Sequence, residues 1–150
     1  MPIRTILAPV DCSEHSRRAL EYAVELAELV GAERVEALFV TPRAVDYSPL
    51  DRWIWGEKSD EHPLDEGLDR ALDASFREFL DGCSAKVVDR VTPRRVEGVP
   101  HKCILEAIER DRPDLTVLGT RGRTGAEHLL LGSVAERIVR HADRPVLTVP

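Results

Sequence analysis

Apolar residues recur along this chain in two alternating rhythms. Ile6-Leu7-Ala8-Pro9-Val10 is a short unbroken run, as expected of a strand covered on both faces. From Ser13 the rhythm changes: Leu20, Ala23, Val24, Ala27 and Val30 recur at helical spacing, while Arg17, Arg18, Glu21, Glu25 and Glu28 take the opposite side. Ser13 is placed to cap that helix and Gly31 to end it in a left-handed conformation. Val35 to Val40 reads as a second strand. Thr41 to His62, with Pro42, Pro49, Trp53, Trp55 and Gly56, holds no period and reads as a long connection, a length that is usually functional or hides a short helix.

Pro63 suits a first helical turn, and Leu64, Leu68, Leu72, Phe76 and Leu80 carry a second helix to Gly82. Lys86 to Glu97 is a weaker β-like stretch, broken by Pro93. Gly98-Val99-Pro100 opens a third helix with Ile104, Ala107 and Ile108 inward, and Pro113 stops it. Leu115 to Leu118 is an apolar strand delivered into Gly119, Ser133 to Ala142 is helical, and Pro145 to Val149 is a last strand. The order βαβαβαβαβ predicts an α/β domain: right-handed crossovers and an open, doubly wound, mostly parallel sheet with helices on both faces. No repeat, linker or low-complexity run divides residues 1–150, so one domain is expected.

Composition narrows the function classes. The chain has 150 residues, with 21 Lys plus Arg against 27 Asp plus Glu, a formal net charge of −6 that argues against a general nucleic-acid binder. No stretch is long and apolar enough for a signal-peptide core or a membrane span, so a cytoplasmic protein without membrane insertion is expected. Cys12, Cys83 and Cys103 make an odd set without a Cys-x-x-Cys pair, which suggests neither a disulfide framework nor a zinc site. The histidines at 15, 62, 101, 128 and 141 show no ligand-like pairing, and no metal site is expected from them.

In open α/β sheets the ligand lies beyond the carboxyl ends of the strands, where the strand order reverses. Two such ends carry chemistry here: Pro9-Val10-Asp11-Cys12-Ser13, and Gly119-Thr120-Arg121-Gly122-Arg123-Thr124-Gly125 followed by Gly132-Ser133 at a helix start. Glycines let backbone N–H groups approach phosphate oxygens, the helix start offers unsatisfied donors, and Arg121 and Arg123 add charge. Asp11, an acceptor when ionised, would face a sugar hydroxyl, a base amine or a metal instead. Plainer readings stand beside these. Ser133-Val134-Ala135-Glu136 is a capping box as written, Asp11 could support the first helix cap, and Arg121 and Arg123 could be solvated loop charges. Gly-x-x-Gly-x-x-Gly is neither a Walker nor a dinucleotide fingerprint. Cys12 is expected in or beside the pocket.

Gly119-x-x-Gly122, nine residues, then Gly132-Ser133 matches the ATP-binding signature of the universal stress protein family without a gap. Nearly the whole chain resembles that family: Ile6 to Asp11 with Ser13, Gly98-x-Pro100, Asp114 to Gly119, Leu129 to Ala135, and Pro145-Val146-Leu147. The resemblance implies a five-stranded parallel sheet of order 3-2-1-4-5, dimerisation, and ATP bound between strands one and four. Asp11 and Val40 resemble the family's ribose and adenine contacts, with Pro9 and Val10 along the base. Gly119, Arg121 and Gly122 resemble the phosphate loop, and Gly132, Ser133 and Val134 the helix start that closes over phosphate. Many members carry glycine where Cys12 stands.

The function expected from these features is an ATP-binding stress-response dimer, joined through its last strand, with Mg2+ carried on the phosphates and an unidentified protein partner in view. A robust enzyme is not expected, because phosphoryl transfer needs a positioned nucleophile and usually a metal-bridging carboxylate, and the motif segments hold no second acid beyond Asp11. The resemblance leaves weak ATP hydrolysis or self-phosphorylation open, with Thr124 and Ser133 the nearest hydroxyls. The rival reading is a nucleotide-independent dimeric interaction module whose glycines serve only tight turns, with the Trp53 and Trp55 loop as its surface. A receiver-like phospho-acceptor domain would need an aspartate after the third strand, where Glu97-Gly98 stands.

Overall fold

The computed structural model describes residues 2–41, 66–121 and 131–150. Its elements are β1 (Thr5–Val10), α1 (Glu14–Val30), β2 (Arg34–Thr41), α2 (Glu66–Asp81), α3 (Ala85–Arg90), β3 (Val91–Glu97), α4 (Pro100–Asp111), β4 (Leu115–Gly119), α5 (Ser133–His141) and β5 (Val146–Val149). The five strands form one parallel sheet of order β3-β2-β1-β4-β5. The connection after Thr41 and the Trp53 and Trp55 loop lie outside the described residues.

Alternation along the central strands sorts side chains onto two faces. Ile6, Ala8 and Val10 of β1, Val35, Ala37 and Phe39 of β2, and Leu115 and Val117 of β4 form one core with α1, with Phe76 and Phe79 of α2, and with Val87 of α3. Leu7, Leu38 and Leu118 point the other way, against Ile104, Ala107 and Ile108 of α4 and Ala135 and Ile138 of α5. The apolar runs read as two-sided strands are therefore two-sided because each face has its own helical layer.

Helix α1 begins and ends as its sequence implies. The Ser13 side chain accepts from the Ser16 N–H, and Gly31 takes φ +71° at the other end. The stretch read as β-like from Lys86 is different: residues 85–90 are a short helix, and the strand begins only at Val91. Alternation failed as a guide because one apolar residue, Val87, is buried and its neighbour Val88 is exposed, a pattern that a single helical turn meets equally well. Pro93 does not break β3. It pairs in register with Ala37 inside the strand, and it is tolerated because β3 is a sheet edge, where a missing N–H costs no ladder bond.

That edge is also pinned by charge. Arg95 pairs with Asp69 and lies 3.0 Å from Asp73, both on α2, while Arg94 Nη1 lies 2.7 Å from Asp111 at the end of α4. Arg94 Nε is 2.8 Å from the buried Glu36 carboxylate, at ion-pair distance though not aligned as a hydrogen bond, and Arg34 also pairs with Glu36. Two successive arginines on a strand thus reach opposite helical layers, as side-chain alternation requires.

Asp114 fastens the other end of the sheet. Its Oδ2 accepts from the Arg4 N–H at 2.9 Å, the Thr5 N–H at 3.0 Å and the Thr5 hydroxyl at 3.1 Å, so the turn before β4 holds the start of β1. These donors, the Arg4 and Thr5 backbone N–H groups foremost, hold its carboxyl below the usual range. Asp111 is pushed down to about 2, first by its hydrogen bond to Arg110 and against the cost of burial, with Arg94 adding to the effect. A carboxylate with a lowered folded-state pKa stabilises above its unfolded value near 4, and that contribution disappears as pH falls through the folded value. Asp114→Ala should therefore lower Tm at pH 7, and the gap to wild type should narrow as melts are taken from pH 5 toward 2.5. A gap independent of pH would show that the charge of Asp114 is not what fastens β1 to β4.

Candidate nucleotide site

Because β1 pairs with β2 on one side and β4 on the other, the connections after β1 and β4 leave the sheet apart from each other and a crevice opens at their carboxyl ends. A cavity of about 390 Å³ occupies this crevice, within the range of small-molecule sites. Its lining comes from four segments, Pro9 to Asp11, Phe39 and Val40, Leu118 to Arg121 without Thr120, and Gly132 to Ala135, together with Ser16, Pro100 and Ile104.

Of the ten residues singled out from the sequence, nine line this cavity: Pro9, Val10, Asp11, Val40, Gly119, Arg121, Gly132, Ser133 and Val134. Gly122 lies outside the described residues, as do Arg123, Thr124 and Gly125. Sequence reasoning missed Ser16, Phe39, Pro100, Ile104, Leu118 and Ala135. Phe39 and Leu118 were legible in principle, since each stands one residue from a strand end already chosen. Ile104 was read only as core, because the stripe of a helix does not reveal that its first turns overhang a crevice.

The wall is divided chemically. Pro9, Val10, Phe39, Val40, Pro100, Ile104 and Leu118 make the apolar part of the lining, and Asp11 adds a carboxylate to it. Gly132 to Ala135 bring the start of α5. Here the capping-box reading is corrected: Gly132, with φ −66° and ψ 154°, is the N-cap, Ser133 is the first helical residue, and the N-cap offers no side chain to the helix. Glu136, which a capping box would turn back to the N-terminus, instead pairs with Arg140 at 2.7 Å. Among the described residues, the first-turn N–H groups of α5 thus receive no side-chain cap from their N-cap, and they border a cavity that the exposed Arg121 also lines. Unsatisfied donors at a helix start form an anion site, strengthened by the helix dipole.

Two residues have structural duties as well. Asp11 Oδ1 accepts from the Ser13 N–H at 3.0 Å, and the Ser16 hydroxyl accepts from the Asp11 N–H at 3.3 Å, so Asp11 does support the entry to α1. Gly119 is needed for close packing: a Cβ there would stand 3.0 Å from the His15 carbonyl oxygen and 3.3 Å from that of Arg121. A side chain there requires those carbonyls to give by a few tenths of an ångström whether or not anything binds.

Cys12 does not line the cavity. It packs against the α1 side of the core, and its backbone is left-handed with φ +63°, the conformation that favours glycine. The turn after β1 therefore keeps the glycine-like path with a cysteine in it. Cys12→Gly should stay within about 1 kcal/mol of wild type, since eased backbone strain offsets lost packing, whereas the β-branched Cys12→Val should cost about 1–3 kcal/mol in urea unfolding. Equal stability of both variants would contradict strain at this turn.

Comparison with known proteins gives a consistent picture. The family model described as "Universal stress protein family" matches residues 2–150. A universal stress protein of Methanocaldococcus jannaschii is 35% identical over 150 residues, covering 97% of this chain and 81% of the relative. The solved universal stress protein UspA of Lactobacillus plantarum superposes with a TM-score of 0.73 at 24% identity, covering 100% of this chain and 99% of that one. A universal stress protein family member of Arabidopsis thaliana, solved with AMP bound, superposes with a TM-score of 0.61 at 19% identity, covering 97% and 90%. The chain belongs to the universal stress protein family.

Proposed function

We propose that residues 1–150 form one nucleotide-binding domain that holds ATP in the crevice between β1 and β4 and acts as a stress-response dimer. The single observation that carries this reading is the uncapped start of α5 opening onto an apolar cavity. Adenine would lie against Pro9, Val10, Phe39, Val40 and Leu118. Asp11 would accept from the ribose or base, its Oδ1 already engaged by Ser13. The N–H groups of Ser133 and Val134, with Arg121 and the Gly119-x-x-Gly122 loop, would take the phosphates. The AMP-bound relative supports the ligand class. Among the described residues no group of three or more His, Cys, Asp or Glu is placed to hold a metal, and the reading carries Mg2+ on the phosphates. Among the described residues no helix is long and apolar enough to cross a membrane, and the proposed setting is the cytoplasm.

The backbone donors can be tested without breaking the helix. Proline is tolerated at the first helical position, and the residue before it must be extended, as Gly132 already is. Ser133→Pro should keep the melting temperature of the free protein while weakening ATP roughly 10- to 100-fold in calorimetry, the effect of losing one hydrogen bond to a charged group. ATP at one hundred times its dissociation constant should stabilise the wild-type protein by about 2.7 kcal/mol. No heat and no change in Tm with saturating ATP would overturn the reading and favour the nucleotide-independent module, for which the packing role of Gly119 is the specific support.

Dimerisation is proposed through β5. It is the second edge of the sheet, its Val146, Leu147, Thr148 and Val149 are all partly exposed, and an apolar edge without lysine invites pairing. Antiparallel pairing with its two-fold mate would close that edge. A Val146→Lys, Val149→Lys variant should sediment as a monomer with a folded circular dichroism spectrum, and a dimer persisting at micromolar concentration would place the contact elsewhere.

A further inference from the structure

Helices α4 and α5 both start at the cavity, and neither N-cap residue, Val99 for α4 or Gly132 for α5, supplies a side-chain cap. Both run away from the carboxyl ends of the strands, so their positive dipole ends are adjacent. Between them, the Arg137 guanidinium of α5 lies 2.9 Å from Nε2 of His101 on α4. Pro100, directly before His101, and Ser133 and Val134, one turn before Arg137, line the cavity.

The chemistry of this contact fixes a protonation state. Arginine has only donors, so Nε2 of His101 must accept, and the imidazole must be neutral with its proton on Nδ1. A protonated ring has no acceptor, and the contact would become a repulsion between two cations. The charged and titratable groups acting on His101 are Arg137 and His141 from α5 and Lys102 from α4. Burial first, then Arg137, Lys102 and His141, keep its imidazolium less favourable than in water, below the ordinary value of 6.5.

We propose that the His101–Arg137 pair couples proton uptake to binding of the polyphosphate end of a nucleotide in this cavity, so that the site binds more tightly as pH falls. This rests on the nucleotide reading given above. A polyphosphate anion at the start of α5 reverses the local sign of the field and favours the imidazolium. Protonating His101 ends its acceptance from Arg137 and releases the guanidinium, whose five donors suit phosphate oxygens. His101 and Arg137 do not themselves line the cavity but stand one turn or less from Pro100, Ser133 and Val134, which do, so an anion at the start of α5 acts on the pair through its field and offsets the repulsion that protonation creates. A ligand with a single phosphate leaves less charge near the pair and draws less on it.

ATP affinity measured by calorimetry between pH 8.0 and 5.5, for wild type and for His101→Gln, tests this. Glutamine retains an acceptor for Arg137 but does not titrate. The phosphates of ATP themselves titrate in this range, so the readout is the difference between the two proteins. Each unit by which binding raises the His101 pKa is tenfold in affinity, and wild type should gain three- to tenfold over His101→Gln on going to pH 5.5, with a smaller gain for AMP. Proton uptake, measured in two buffers of different ionisation enthalpy, should be larger for wild type. In the free protein an NMR titration should place His101 below 6.5, and Arg137→Gln should raise it. Identical pH profiles in the two proteins, with ATP bound by both, would overturn the coupling alone. Absence of ATP binding at every pH would overturn the nucleotide reading along with it.

Discussion

The cavity exists because β1 is paired in parallel on both sides, with β2 along its whole length and with β4 beside it. That double pairing forces the chain to leave β1 toward one helical layer and to arrive at β4 from the other. The same constraint places α5 so that its first turn faces the cavity, and it puts the donors of that turn next to Asp11, a residue more than a hundred positions earlier in the chain. A change that loosened β1 from β4 would therefore dismantle the site without touching any residue that lines it. The carboxylate of Asp114, which gathers three donors from Arg4 and Thr5, is the local guard against that.

Charge performs different work at the two edges of the sheet. At β3, Arg94 and Arg95 reach in opposite directions to carboxylates on α4 and α2, and Arg94 also meets the buried Glu36 of β2. These pairs tie the edge strand to both layers and, with Pro93, make it a poor template for a further strand. At β5 there is neither proline nor lysine within Val146–Val149, and the edge keeps its apolar character. The asymmetry is written in the residues themselves: one edge is protected and the other is left able to pair.

The order of elements and both helical layers were legible because strands buried on two faces and amphipathic helices leave unlike periods in a sequence. The sheet order came from family resemblance, since periodicity cannot say which strand neighbours which. Ala85 to Arg90 misled because six residues are too few to separate one helical turn from an alternating strand. At the crevice, nine chosen residues converged on one cavity, and of the two readings weighed for Ser133 only the plainer one, a capping serine, fails. Spacing alone cannot tell an N-cap from the residue after it, and the difference matters: a capping serine would have satisfied the donors that Gly132 leaves open. The hydrogen bond between His101 and Arg137 was not legible at all, because it joins residues thirty-six positions apart across two helices whose relative placement only the fold supplies.

The most direct measurement is an amide NMR titration of the assigned protein with ATP. Phosphate held at the start of α5 should move the Ser133, Val134 and Ala135 amide protons downfield, as expected for donors gaining a charged acceptor. Val40 and Asp11 should shift with them as the base and ribose settle. Saturable ATP binding that leaves the three α5 amides unmoved, with its largest shifts elsewhere on the sheet, would contradict the claim that this helix start is the phosphate site.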